Sequence, residues 1–116
     1  MGQNLELYID KWGMFKHRHW MAGDCLTVHR DAMMGVLMDD GEEPCQIKER
    51  NMPKDMKFFF PDSDLKKPED NDELSWVYAG DLAKVKPPKE TCSWNRAILK
   101  FMAAIDPKTV VVLRWM

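Results

Sequence analysis

SWNRAILKFMAAIDPKTVVVL, residues 93 to 113, carries two different periodicities back to back. Trp94, Ala97, Ile98, Phe101, Met102 and Ile105 fall at i, i+3, i+4, i+7, i+8 and i+11, the spacing of one apolar stripe on an α-helix. Asn95, Arg96 and Lys100 point away from that stripe, and Ser93 is placed to act as N-cap. Asp106-Pro107 ends the helix, because the residue before a proline avoids the α region. Thr109 to Leu113 then reads as a buried strand, since three successive valines favour a sheet. A helix handing over to a buried strand predicts an α+β fold: a mostly antiparallel, curved sheet packed by one C-terminal amphipathic helix and a final strand.

Upstream, the pattern is mostly extended. Leu5, Leu7 and Ile9 alternate as one face of a strand, and Gly13 interrupts it. Residues 14 to 21 read as a second strand, and Gly23-Asp24 turns into a third over Cys25 to Arg30. Met33 to Met38 and Gln46 to Glu49 flank Asp39-Asp40-Gly41, the signature of a tight hairpin. The segment 23 to 49 would also suit a small SH3-like barrel. Lys57 to Phe60 is a short apolar run, and residues 61 to 73 have the composition of a solvated loop. Ser75 to Ala79 reads as a strand stopped by Gly80-Asp81, and Pro87-Pro88 marks a connector.

A length of 116 residues suits one globular domain spanning residues 1 to 116, and 45% hydrophobic residues predict a packed core. The net charge of −2 gives no general attraction to nucleic acid or anionic membrane. Charge is uneven: residues 32 to 75 hold six basic and twelve acidic side chains, residues 76 to 116 seven basic and three acidic. The N-terminal MGQNLELYIDKWG reads as neither a signal peptide nor a myristoylation site, and no apolar run approaches a membrane span. Cys25, Cys45 and Cys92 are odd in number and widely spaced, which predicts reduced thiols and a cytoplasmic location.

KHRHWMAGDCLTVH, residues 16 to 29, holds all three histidines. On a strand, His17 and His19 would project from one face, and His29, Cys25 or Asp24 would complete a metal site across the turn. The spacing departs from the first motif of cupins: Gly13 is too close to His17, Asp24 replaces glutamate, and no histidine follows His29. Lys16, Arg18, Trp20 and Arg30 offer charge beside an aromatic ring, the ingredients of a nucleic-acid platform, but in a locally neutral segment. No nucleophile elbow, phosphate loop, dinucleotide fingerprint or His-Glu-x-x-His occurs, so an enzyme is disfavoured and no cofactor is expected.

Residues 100 to 110, KFMAAIDPKTV, resemble an F-x-A-A-x-[ND]-P-x-T-V phrase in Ead-like accessory proteins of phages. The resemblance covers eleven residues; it implies a mobile-element origin and a chain that continues as helix beyond the proline. The reading that follows is a small non-catalytic protein-binding module of inhibitor, immunity or phage-accessory type. Its expected contact is the acidic hairpin tip Asp39, Asp40, Glu42 and Glu43, meeting a basic surface on another protein. The alternatives are a metal protein using His17, His19, His29 and Cys25, and a nucleic-acid-binding small barrel.

Overall fold

The computed structural model describes residues 4–21, 24–37, 45–59 and 74–115. Its centre is the valine run. Strand β7 (Val110–Trp115) is the middle of a five-stranded antiparallel sheet, between β1 (Leu5–Ile9) and β6 (Leu74–Tyr78). A middle strand is covered on both faces, so it tolerates apolar side chains in succession. Val111 and Leu113 face one core and Val112 the other. The outer strands are β3 (Cys25–Val28), which pairs with β1, and β4 (Arg50–Asn51), which pairs with β6. Among the described residues β3 and β4 do not pair with each other, so the sheet is open rather than closed into an SH3-like barrel. The α+β reading with a mainly antiparallel sheet holds. A separate parallel pair joins β2 (His19–Met21) to β5 (Lys57–Phe59).

The alternation of β1 is as its sequence predicts. Leu5, Leu7 and Ile9 enter the larger core, and Tyr8 enters the smaller one on the opposite face. Three helices supply the larger core: α1 (Ala32–Leu37), α2 (Ala79–Ala83) and α3 (Ser93–Ala104). The smaller core gathers Tyr8, Phe15, Met52, Met56, Leu74 and Val112, with Trp76 against it.

Several local expectations are overturned. Met33 to Leu37 is helix rather than one arm of a hairpin, because Asp31 Oδ1 accepts the Met33 N–H at 2.9 Å and caps the turn. Gln46 to Glu49 is not strand either; the Gln46 N–H instead donates to the Val36 carbonyl at 2.8 Å. Residues 14 to 18 are not strand: Asp10 accepts the N–H groups of Met14 and Phe15, both at 3.0 Å, and starts a 3-10 turn over Phe15–His17. Gly80 does not merely stop β6 but lies inside α2, where its amide donates to the Pro107 carbonyl at 3.0 Å. Beyond Pro107 the chain turns and enters β7 at Val110, so the helical continuation implied by the phage-protein resemblance is absent.

Helix α3 has the predicted span but a different inward face. Asn95, Ile98, Leu99 and Met102 are buried, whereas Trp94 and Phe101 are 53% and 43% exposed. Ser93 is not the cap either: Cys92 occupies that position without a side-chain bond, and Asp31 Oδ2 accepts the Cys92 N–H at 2.7 Å. The cap therefore comes from a residue 61 positions upstream.

Candidate functional site

The rotation of α3 decides where a site can be. Trp94, Ala97, Phe101 and Ala104 all lie on its exposed side, and Trp94 and Phe101 are seven positions apart on one flank. Its two charged residues, Arg96 and Lys100, are both basic. Arg96 is held by the carbonyls of Pro88, Lys89 and Thr91 at 3.1 to 3.2 Å, while Lys100 is exposed. Trp94 Nε1 donates to the Thr27 carbonyl at 2.7 Å, which fixes the indole beside the outer strand β3.

Next to Phe101 a cleft of about 610 Å³ separates α3 from the ends of β1 and β3. Ile9, Cys25, Leu26, Phe101 and Ile105 give it apolar walls. At its rim Lys11 Nζ pairs with Asp24 Oδ2 at 3.0 Å. The arrangement suits insertion of an apolar group, with a polar pair at the mouth.

A second cleft, of about 540 Å³, opens between the loop after β1 and the 106–109 turn. Its aromatic lining is Phe15, Trp76 and Tyr78; Phe15 tilts against Trp76 at 5.1 Å, and Tyr78 meets Trp76 edge-on at the same distance. The Arg50 guanidinium stacks 5.0 Å from Trp76 and 4.8 Å from Tyr78 while binding Asp81 at 2.9 Å. Burial would raise the Asp81 carboxyl, but Arg50 and the Tyr78 N–H outweigh it and hold it below its ordinary value.

The opposite end of that sheet face carries a buried polar group. Tyr8 donates its hydroxyl to Glu6 Oε1 at 2.8 Å, and Arg114 lies 3.7 Å from the same oxygen and 3.4 Å from the hydroxyl. Burial raises the Tyr8 pKa, so the phenol stays protonated and acts as a hydrogen-bond donor. Glu6 and Arg114 are register partners, and the cluster ties β1 to β7.

The residues singled out in the sequence fare differently. His17 ends the 3-10 turn, His19 begins β2, and Arg18 between them has φ 60°, so the two do not share one strand face. His29 is exposed just past β3, with its backbone engaged by Asn95. Among the described residues no three His, Cys, Asp or Glu side chains gather as a metal site. Cys25 lines the cleft beside Phe101. The acidic tip Asp39, Asp40, Glu42 and Glu43 lies outside the described residues. Reading Trp94 and Phe101 as core hid the exposed flank, since hydropathy alone does not say which apolar residues a helix buries.

Among the described residues, no helix is long and apolar enough to cross a membrane. No family model matches the chain, and no curated protein and no solved structure matches it significantly.

Proposed function

We propose that this protein is a non-catalytic protein-binding module that acts by occupying a partner's surface, with the outer flank of α3 as the contact. The carrying observation is the exposure of Trp94 and Phe101 on a helix whose opposite face already fills the core. Large aromatic side chains dominate the energy of interface centres, and a neighbouring cleft gives a partner's side chain somewhere to go. The partner is a protein with an apolar patch rimmed by acids. Arg96 and Lys100 are the only charges on α3, and residues 76 to 116 carry four more positive than negative side chains. Blocking a partner, as inhibitors, immunity proteins and mobile-element accessory proteins do, requires no chemistry from the module itself.

A photo-crosslinking residue placed at Phe101, and at exposed Lys54 as control, tests this. The expected result is an adduct specific to position 101, formed with a protein through an acidic surface. Phe101→Asp and Lys100→Glu should each weaken that complex, the former by about 1.4 kcal/mol or more, a factor of ten. Equal crosslinking at both positions, or adducts only with a second copy of this chain, would overturn the proposal. Reversing Asp39, Asp40, Glu42 and Glu43 separates the two candidate surfaces. If that variant loses binding while Phe101→Asp retains it, the contact is the acidic segment and α3 is not.

A further inference from the structure

The geometry points to the second cleft, between the loop after β1 and the 106–109 turn, as a binding site for a planar aromatic anion of mononucleotide size. Its volume of about 540 Å³ lies within the range of small-molecule sites. One wall is aromatic, lined by Phe15, Trp76 and Tyr78. Although Arg50 lies over Trp76 and Tyr78, both rings are only partly buried, so the ring surface left to a ligand is the part that lines the cleft. The rim carries Lys11 and Lys16 on one side and Lys108 on the other, together with the carboxylates of Asp10 and Asp106.

The charges at this cleft are not equally available. Lys11 is paired with Asp24 at 3.0 Å. Both Asp10 oxygens accept backbone N–H groups, from Met14 and Phe15, and Asp106 Oδ1 accepts the Lys108 N–H at 2.9 Å. Lys16 and Lys108 are exposed, and among the described residues neither ammonium has a carboxylate within ion-pair distance. Two cations at the mouth of an aromatic-walled cleft match a ligand with a flat ring system at one end and an anionic group at the other. This site adjoins the cleft beside Phe101, with Lys11 and Thr109 lining both, but it does not depend on the protein-binding reading.

The test is calorimetric titration of the full chain with AMP, adenosine and inorganic phosphate, repeated at low and moderate salt. AMP should bind saturably at one site, more tightly than either adenosine or phosphate, and should weaken as salt rises. The double variant Lys16→Glu/Lys108→Glu should weaken AMP binding about tenfold or more. Lys54→Glu, a charge reversal away from the cleft, should leave it unchanged. Thermal melts of both variants check that they fold, and single Lys108→Glu serves if the double variant does not. Absence of saturable AMP binding up to millimolar concentration overturns the proposal. So does equal binding by the folded double variant, or phosphate binding as tight as AMP, because then the lysines or the aromatic wall would be idle.

Discussion

Asn95 pairs with the backbone of His29 in both directions. Its Nδ2 donates to the His29 carbonyl, and its Oδ1 accepts the His29 N–H, each at 2.8 Å. The same Nδ2 also donates to Asp31 Oδ1 at 2.9 Å. A fully buried amide thus stitches the end of β3 to the start of α3, and Asp31 adds the cap on Cys92. Buried polar groups are costly only when unsatisfied, so this one holds α3 in a single rotation about its axis.

Asn95→Ala should therefore destabilise more than an exposed helix substitution. It strands a backbone donor, a backbone acceptor and part of Asp31, for a cost of about 2–3 kcal/mol. Urea denaturation checks this. A loss no larger than that of Ala103→Ser on the exposed side would mean that water satisfies these groups instead.

Acid should weaken the fold through Asp31 and Asp81. Burial raises the Asp31 carboxyl, but the bonds from Cys92, Met33 and Asn95 outweigh it and leave its pKa below the ordinary 3.8; Asp81 is lowered as well. The stabilisation is fully present above the unfolded value of 3.8 and is lost as pH falls through the lower folded values. Melting temperature should decline as pH falls below the ordinary carboxyl value of 3.8, and less steeply in Asp31→Asn. Tyr8 has the opposite sense: its raised pKa adds stability that is present below its ordinary value of 10.0 and is lost only at more alkaline pH.

Gly80→Ala should destabilise, against the usual gain of replacing a helical glycine. A Cβ there would stand 3.0 Å from Pro107 Cβ and 3.1 Å from its carbonyl oxygen, the acceptor of the Gly80 amide. Overpacking against backbone should cost about 1–3 kcal/mol. A raised melting temperature would show that the 106–109 turn yields.

Native thiol labelling should modify Cys25 first. It is exposed in β3, whereas Cys45 is partly buried, with its Sγ 3.6 Å and 3.1 Å from the carbonyls of Leu37 and Ile47. Because Cys25 lines the cleft beside Phe101, a bound partner should slow its labelling, as peptide mapping after a short reagent pulse would show. Unchanged labelling in a saturated complex would place the partner elsewhere.

Much of the architecture was legible in residue order because it rests on local periodicity. Alternating Leu5, Leu7 and Ile9, the 3.6-residue recurrence from Trp94 to Ile105 and the valine run each define an element without reference to the rest of the chain. Apolar Met33 to Leu37 misled because a short run fits helix or strand equally, and the deciding cap from Asp31 is a single side chain. The candidate sites were less legible. Lys16 stood out only beside Trp20, and Trp76 and Tyr78 read simply as strand residues.

The sequence by itself determined the α+β class, the core face of β1, the span of α3 and the final strand. Only the tertiary structure decided which side of α3 is buried. A polar Asn95 points inward because His29 and Asp31, 66 and 64 positions away, satisfy its amide, and Trp94 and Phe101 are thereby turned outward. Hydrogen bonds between distant segments leave no periodic trace in the chain, and both proposed sites are built from residues that such contacts bring together.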